Sequence, residues 1–532
     1  MFDLNNLPND IDSLKKYIQT LASKVTVLEN TNTNSKERIS FLENIIIDLK
    51  RNRFGRKSEQ FNPYDELQSR LFNEAEVGLN DQPSLHDAHS EEKIIVQSHE
   101  RKKTGRKPLP AELQRIDVIH DIEEHEKKCE CGACLTKFDE EVSEKLCIVP
   151  MQVYVERHIR YKYECNSCKG DERTEAGKII LTAENKDELF KKSILTPELF
   201  AYIQTAKFVD HIPFYRLSNI LLRYGIEITR ATFCNWSIAI YEKYFHLFDF
   251  MKDMFFNFNF LQIDETTYQV HKEIGRANTS TSYMFVIRGG APEKPIIQFI
   301  YRETRGAEFL VEYLKNFQGI IQTDGYSSYD SHFRKSHNVI QAGCMAHARR
   351  GFEKIYKSTK NNFAGEILML IRKLYIIEKE IREKNFYKQK LFDEIKSIRQ
   401  EKSKPIMEII YSKCIEYKNS VPSDVTVGKA INYTLGQWEK LNVFLNYGEV
   451  QIDNNLIENE IRPFVLGRKN WLFSDSPQGA NASSFWYSII QTAKANNREP
   501  FKFLLHITKH LPTTKSSSEM KEIFMKALDG DY

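Results

Sequence analysis

The chain has 532 residues, of which 41% are hydrophobic and 28% charged, so its composition is that of a folded globular protein. This length exceeds what one hydrophobic core usually organises, and we expect three or four domains. The formal net charge of +3 excludes a general polycation, so any contact with nucleic acid must come from local basic patches.

Neither a membrane span nor a signal peptide is predicted. No apolar run approaches the roughly 20 residues of a spanning helix, and the acidic N-terminus lacks a signal-peptide charge pattern. We therefore expect a cytoplasmic protein with reduced thiols. Six of its nine cysteines fall between Cys129 and Cys168, and in a reducing compartment such a cluster favours metal binding over disulfides.

Residues 8–60 are predicted to form a coiled coil with a basic end. Apolar residues recur at alternating spacings of four and three from Leu14 to Leu49, which is a heptad pattern. An amphipathic helix packed on its own domain is the alternative. Arg56 and Lys57 follow in "RFGRKSEQ", and we predict that they contact DNA; a solvated helix end would explain them equally simply.

Residues 61–110 are predicted to be a linker that ends in a basic segment. The stretch "NDQPSLHDAHSEEK" is polar and shows no hydrophobic period. Arg106 and Lys107 then stand in "GRKPLP", an extended segment of the kind that enters the minor groove of DNA. A plain basic linker remains the alternative.

Residues 111–180 are predicted to be a zinc-binding domain. Cys131 and Cys134 form one C-x2-C pair, and Cys165 and Cys168 form a second about 30 residues later. Four thiolates at tetrahedral reach hold a structural Zn²⁺, and the alternating residues between the pairs suit the hairpin of a zinc ribbon. Cys129 could replace Cys131 as the first ligand.

Residues 190–250 are predicted to be a helical, DNA-binding-like domain. The pattern gives a helix, a turn at Gly225 and a second helix that begins after the capping residue Thr229. This order is similar to a helix-turn-helix, whose second helix contacts DNA. A subdomain used only for packing is the alternative.

Residues 256–500 are predicted to form an α/β domain with a helical insertion at 357–447. Strand patterns occur in "FNFLQIDETTYQV", "TSYMFVIRGG", "KPIIQFIYRETR", "GIIQTDGYSSYD" and "NVIQAG", with a helix between the third and fourth. This is the order of a ribonuclease-H-like fold. Residues 501–532 are left as a C-terminal tail, so the overall fold class is multidomain α+β.

Two aspartates of this domain are candidates for a metal site. Asp264 is placed at the end of the first strand and Asp324 at the end of the fourth, and these strand ends are neighbours in a ribonuclease-H-like sheet. Carboxylates so close repel each other unless a cation lies between them, and Mg²⁺ prefers such ligands. A helix after residue 452 offers a third acid, with Glu458, Glu460 and Asp453 as candidates.

Basic and aromatic residues follow these acids on the same helix. Arg462, Arg468 and Lys469 are predicted to hold DNA phosphates beside the carboxylates. Trp471 either stacks on a base or sugar or belongs to the core.

The motifs, taken in order, resemble those of the insertion-sequence-66 family of transposases over nearly the whole chain. The resemblance rests on "RFGRKSEQ", "GRKPLP", "EEVSEKL", "QIDET", "TDGYSSY", "GCMAHARRGF", "GKAINYTLGQWEKLNVFL", "DNNLIENEIRPFVLGRKNWLF" and "SSFWYSIIQTAKANNREPFKFL". It implies a DDE transposase in which Asp264, Asp324 and Glu458 bind two Mg²⁺ or Mn²⁺ ions. Many relatives have Arg directly after this Glu, where the present chain has Asn459.

The resemblance also implies the reaction and the partners. The protein would bind the terminal inverted repeats of an insertion sequence, hydrolyse a phosphodiester to expose a 3′-hydroxyl, and use that hydroxyl to attack target DNA. Cys344 and His347 would support the site, as a Cys-x2-His pair does in related transposase groups. Expected partners are double-stranded DNA, a second copy through the coiled coil, and accessory proteins of the same element, in the nucleoid of a bacterial cytoplasm.

Two alternative functions stay open on the sequence. The chain could be a zinc-ribbon DNA-binding regulator whose nuclease-like domain is an inactive scaffold. It could also be a nuclease that never joins strands. The presence of all three acids argues against the scaffold, and detection of a joined product separates the transposase from the nuclease.

Overall fold

The computed structural model describes most of the chain beyond residue 192. It covers residues 193–290, 294–325, 338–423, 425–514 and 516–531, with residues 152–164, 180–182, 189–190, 329 and 333 and parts of 11–32. Several predicted site residues lie outside the described residues: Cys129, Cys131, Cys134, Cys165, Cys168, Arg56, Lys57, Arg106 and Lys107. Two compact units are present, one of Pro83–Ile159 and one of Met1–Gln82 with Arg160–Tyr532.

The described residues of the N-terminal region are helical where the heptad pattern was found. All described positions between 11 and 32 are in helix, and the stripe residues Ile18 and Leu28 have 61% and 66% of their surface exposed. An exposed apolar stripe on a helix is what a coiled-coil partner covers, but the coiled coil itself stays a prediction. Farther along, strands β1 (Lys162–Glu164) and β2 (Ile180–Thr182) pair in antiparallel fashion.

A helical region precedes the large sheet, as the sequence predicted. Its four helices are α1 (Pro197–Phe208), α2 (Phe214–Leu222), α3 (Arg230–Tyr244) and α4 (His246–Phe255). The side chain of Thr229 accepts a hydrogen bond from Thr232 N and so begins α3 where the sequence placed a cap. Gly225 lies between α2 and α3 with a φ of +76°, a conformation that glycine adopts without strain.

Five strands form the large sheet, and all five are at the predicted places. They are β3 (Phe260–Gln269), β4 (Thr281–Gly289), β5 (Ile296–Arg302), β6 (Gly319–Gln322) and β7 (Val339–Ala342), with α5 (Glu308–Tyr313) between β5 and β6. The order across the sheet is β5-β4-β3-β6-β7. The pairs β5–β4 and β4–β3 are antiparallel, and β3–β6 and β6–β7 are parallel. Residues 284–287 and 296–300 are buried without alternation, so both faces of β4 and β5 are covered there.

The described residues between β7 and residue 446 are mostly helical, as was predicted for residues 357–447; that they form an insertion stays a prediction. Its elements are α6 (Met345–Thr359), α7 (Asn362–Glu383), α8 (Phe392–Ile398), a π-helix (Arg399–Ser403), α9 (Lys404–Lys418), α10 (Thr426–Gly436), α11 (Trp438–Leu441) and α12 (Val443–Asn446). Ile320 of β6 and Ala342 of β7 belong to one buried cluster with Phe352, Ile371 and Ile431. The insertion therefore shares a hydrophobic core with the β6–β7 side of the sheet.

A buried arginine organises the middle of this insertion. The Arg399 side chain is fully buried, and its Nε and Nη2 each donate to Glu378 at 2.7 Å. Its Nη1 donates to the backbone carbonyls of Phe444, Tyr447 and Val450 at 2.9–3.1 Å. One guanidinium thus ties α7 to the segment that leads into the last part of the α/β domain.

The chain ends in helices that pack on the α/β domain and on the helical region. They are α13 (Asn455–Trp471), α14 (Pro477–Ala495), α15 (Pro500–His510), a 3₁₀ turn (Leu511–Thr513) and α16 (Ser517–Asp529). Phe503 and Phe524 are buried, and Lys509 Nζ lies 2.8 Å from Glu198 Oε1 of α1. Residues 501–532, set apart as a tail from the sequence, are therefore structured. No helix in the described part of the chain is both long enough and apolar enough to cross a bilayer.

Candidate active site

Asp264 and Asp324 are brought together by the parallel pairing of β3 and β6. Gln262 lies opposite Gln322 in this pair, and continuing the same register by two residues places Asp264 beside Asp324. The expectation that Asp264 ends its strand was wrong, because pairing with β4 carries β3 on to Gln269. Asp324 does follow the end of β6, two residues after Gln322.

The turn after β6 is held by the helical insertion. Tyr433 of α10 donates a hydrogen bond to the backbone oxygen of Asp324 at 2.8 Å. The next residue, Gly325, has a φ of +83°, and a Cβ there would lie 2.8 Å from the Tyr433 hydroxyl oxygen. The close approach of Tyr433 and the positive φ both require glycine at this position.

Two buried glutamines hold the aspartate-bearing strands together. Gln262 Nε2 donates to Gln322 Oε1 at 2.8 Å and also lies 3.2 Å from the backbone oxygen of Asp453. Gln322 Nε2 donates to the backbone oxygens of Gly343 and Gln451 at 2.9 and 2.8 Å. Each glutamine precedes its aspartate by two residues, in "QID" and "QTD". Neither glutamine was among the predicted site residues, although the repeated Gln-x-Asp spacing is a usable sequence signal.

Removal of this pair has a defined expected cost. We expect Gln322→Leu to lower the free energy of unfolding by about 2–4 kcal/mol, because the carbonyls of Gly343 and Gln451 lose a buried donor. Gln341→Leu in β7 is the matched control, since that half-buried side chain makes one 3.4 Å bond to Tyr329 O. Urea denaturation of both variants measures the difference. Equal losses in the two variants would contradict the role given to the glutamine pair.

Hydrogen bonds made by Asp453 and Asn454 hold the start of α13, the helix that carries Glu458. Asp453 accepts hydrogen bonds from Tyr375 at 2.7 Å and from the backbone and side chain of Asn455 at 3.1 and 2.9 Å. Asn454 N donates to Cys344 Sγ at 3.2 Å, and burial raises the pKa of this thiol. Asp453 therefore binds Asn455, the first residue of α13, from a position just before the helix, and Glu458 follows in the first turn.

Glu458 is bound by an arginine of α6. Arg350 Nη2 lies 2.6 Å from both carboxylate oxygens of Glu458, and Arg350 Nη1 lies 2.9 Å from His347 Nε2. A guanidinium only donates, so His347 accepts through Nε2 and carries its proton on Nδ1. Burial lowers the pKa of His347, and the Arg350 charge lowers it further. Cys344 thus contacts the residue just before α13, and His347 contacts the arginine that binds Glu458. Arg350 continues the three-residue spacing of Cys344 and His347.

The aspartates lie in a strongly anionic environment. Burial raises the pKa of Asp264 well above its ordinary value, and the charges of Glu265, Asp324 and Glu458 raise it further. A hydrogen bond of 2.8 Å from Glu265 N to Asp264 Oδ1 opposes this effect. A carboxylate kept from ionising by burial and like charges regains its charge when a cation enters the cluster.

Glu265, the residue after Asp264, has partners of its own. Its side chain is buried, accepts from Arg305 Nε at 2.6 Å and is hydrogen-bonded to the Tyr329 hydroxyl. Successive residues of a strand point to opposite faces of the sheet, so Glu265 is directed away from Asp264. We therefore assign Glu265 to the support of β3.

Three predicted DNA contacts lie along α13 beyond Glu458. Arg468 Nη1 donates to Thr267 Oγ1 of β3 at 2.9 Å, Arg462 is half-buried, and Lys469 is exposed. Trp471 is half-buried, with Lys207 Nζ 4.9 Å from its ring centre. The structure therefore places the basic residues on the helix that carries Glu458, and their contact with DNA stays a prediction.

The donors at this site suit a hard divalent cation. Asp264, Asp324 and Glu458 offer carboxylate oxygens, which Mg²⁺ and Mn²⁺ prefer, and burial together with the neighbouring carboxylates raises the pKa of Asp264. Among the described residues no three His, Cys, Asp or Glu side chains lie close enough together to hold a metal ion. Both oxygens of Glu458 are engaged by Arg350. A metal ion would fit the charge and chemistry of the cluster once Glu458 leaves that partner.

Profiles of known protein families match three consecutive parts of the chain. The family profile described as "Transposase IS66 family" matches residues 192–482, more than half of the chain, and spans the sheet and Glu458. The chain belongs to the IS66 transposase family. Two further profiles of the same group match in order: "Transposase C of IS166 homeodomain" at residues 42–118 and "zinc-finger binding domain of transposase IS66" at residues 126–169. The zinc-finger match contains all six clustered cysteines of this IS66 transposase family member.

Relatives of similar length exist in Sinorhizobium fredii. "Uncharacterized protein y4qI" is 28% identical over 97% of this chain and 97% of its own length. "Uncharacterized protein y4jD" is 29% identical over 78% of this chain and 80% of its own length. The similarity to y4qI extends over almost the whole chain, including the residues outside the described part of the structure.

Proposed function

We propose that this IS66-family protein is a DDE-type transposase that cleaves and joins DNA at the ends of an insertion sequence. The supporting observation is the register of β3 and β6, which sets Asp264 beside Asp324, together with Glu458 in the first turn of α13. The strand order β5-β4-β3-β6-β7, with two antiparallel pairs followed by two parallel pairs, supports assignment to the ribonuclease-H-like folds. Fold alone does not establish activity, so the proposal rests on the acids.

In this proposal Asp264, Asp324 and Glu458 hold two Mg²⁺ or Mn²⁺ ions. Bound divalent cations would supply activation of the attacking oxygen and stabilisation of the leaving oxygen in phosphoryl transfer. The acids would keep their positions through the Gln262–Gln322 pair and the hydrogen bond from Asn455 N to Asp453 at the start of α13. No nucleophilic side chain is needed, because water attacks first and the released 3′-hydroxyl attacks second.

DNA would lie along the exposed side of α13. Arg462, Arg468 and Lys469 bring positive charge within a few turns of Glu458 and would bind backbone phosphates. Cys131, Cys134, Cys165 and Cys168, with Cys129 as the alternative to Cys131, would hold a structural Zn²⁺ in the domain that recognises the terminal repeats. The N-terminal helix would pair two protomers, so that both element ends are held in one complex.

The proposal is tested with labelled element ends. Purified protein with Mg²⁺ is expected to nick the end and join it to a target plasmid, while the same reaction with EDTA yields neither product. End binding without cleavage would favour the regulator with an inactive scaffold. Cleavage without any joined product would favour the nuclease.

A further inference from the structure

We infer that Arg350 is the counter-ion of Glu458 in the metal-free protein and exchanges this carboxylate for a DNA backbone phosphate when the divalent ion binds. This inference rests on the proposed function, because it assumes that Glu458 is a metal ligand. It adds a DNA-contacting residue and an order of events at the same site.

The first support is the geometry of the pair. One nitrogen of Arg350 lies 2.6 Å from each oxygen of Glu458, so both oxygens are engaged by a cation. A divalent ion needs those same oxygens and would face a guanidinium at hydrogen-bond distance. Arg350 and a metal ion therefore compete for the charge of Glu458, and we infer that Arg350 leaves the carboxylate as the metal ion binds.

The second support is the surroundings of the pair. The Arg350 and Glu458 side chains keep 42% and 22% of their surface exposed, so ions and DNA can reach both. Arg350 Nη1 also lies 2.9 Å from His347 Nε2, a neutral acceptor that can hold the guanidinium near the site after release. The Arg350 side chain would therefore stay ordered beside the site and would not become mobile in solvent.

The third support is the chemistry of the released group. Guanidinium binds carboxylate and phosphate through the same fork of donors, so a backbone phosphate is the natural replacement for Glu458. Asp264 contributes to the electrostatic environment of Arg350, so the released cation would remain beside the cluster of acids. A DNA strand that approaches these acids needs such a cation to offset their repulsion.

The test compares Arg350→Gln with Arg349→Gln. Arg349 is the neighbouring residue on α6 and pairs with Glu353 at 2.9 Å, so its removal deletes the same charge from the same helix and breaks a different ion pair. Mn²⁺ binding to full-length, zinc-loaded protein without DNA is measured by electron paramagnetic resonance of the free ion. Arg350→Gln is expected to bind Mn²⁺ about fivefold more tightly than the wild type, whereas Arg349→Gln is unchanged.

DNA binding provides the second measurement. Affinity for an element end is measured against salt concentration, with and without Ca²⁺ as a metal probe. Arg350→Gln should lower the salt slope by about one in Ca²⁺ and leave it unchanged without metal, because the phosphate contact forms only after release. Arg350→Lys keeps the positive charge, so it should retain the wild-type salt slope in Ca²⁺ and show an intermediate Mn²⁺ affinity. This variant replaces Arg350→Gln if Arg350→Gln does not fold.

The outcomes separate this inference from the proposed function. Unchanged or weaker Mn²⁺ binding in Arg350→Gln would overturn the competition, and an unchanged salt slope in Ca²⁺ would overturn the transfer to phosphate. Asp264→Asn serves as the reference for the metal site. If the Asp264→Asn variant binds Mn²⁺ as tightly as the wild-type protein, the proposed metal site is wrong, and the inference is wrong with it.

Discussion

Asp264→Asn, Asp324→Asn and Glu458→Gln are each expected to lower the rate of strand cleavage at element ends by about a thousandfold or more. Each change removes a charged ligand from a site whose cations supply several kcal/mol of transition-state stabilisation, and about 1.4 kcal/mol corresponds to a factor of ten. Single-turnover cleavage of a labelled end in Mg²⁺ measures the effect. Affinity for the same end in Ca²⁺ should stay within a few-fold of the wild type.

Glu460→Gln is the matched control for these substitutions. Glu460 lies two residues after Glu458 on α13, and about 100° of rotation per residue turns it to another side of the helix. Burial raises the pKa of Glu460 to about 7, while the charges of Arg288 and Lys494 lower it. We expect this variant to cleave at nearly the wild-type rate. If Glu460→Gln lowered the cleavage rate as much as Glu458→Gln, the assignment of Glu458 as the third metal ligand would not be supported.

Arg399→Met is expected to lower the free energy of unfolding by about 3–5 kcal/mol. The substitution leaves Glu378 charged and buried without its partner and removes the donor for three backbone carbonyls. Chemical denaturation of the full-length protein measures the loss. The loss should be largest among the stability changes predicted for this chain, because one buried charge joins Glu378, Tyr387 and three backbone carbonyls.

Two control variants test whether the Arg399–Glu378 pair is the source of this loss of stability. Lys402→Met removes a charge from the same π-helix, but its 3.6 Å pair with Glu380 is about half exposed, so we expect a change below about 0.5 kcal/mol. The double variant Arg399→Met with Glu378→Leu should lose less than Arg399→Met alone, because no uncompensated charge remains. A double variant at least as unstable as the single one would show that the charge pair is not the source of the loss.

The sheet could be predicted from the sequence because its signals are local. Period-two alternation, continuous apolar runs and turn residues each occupy at most 13 consecutive positions, and all five strands lie where these signals were found. The cap at Thr229 and the turn at Gly225 are equally local, and the structure confirmed both. The family resemblance was carried by longer motifs and was confirmed by the matches to the family profiles.

The contacts that hold the acidic residues in place could not be predicted, because they join segments that are far apart in the sequence. Gln262 and Gln322 are 60 residues apart, and Arg350 and Glu458 are 108 residues apart. No periodicity links such pairs, and a buried glutamine looks polar and exposed in a sequence. Asp264 was placed at a strand end for a related reason, since the length of β3 is set by its pairing with β4 rather than by its own residues.

The most direct test of the metal site is an anomalous-scattering map of crystals grown with Mn²⁺ and an uncleaved element end. The proposed chemistry predicts Mn²⁺ peaks within ligand distance of Asp264, Asp324 and Glu458, with Arg350 moved from Glu458 to a phosphate. Mn²⁺ bound elsewhere, or a fully occupied DNA complex in which these three carboxylates bind no ion, would contradict it.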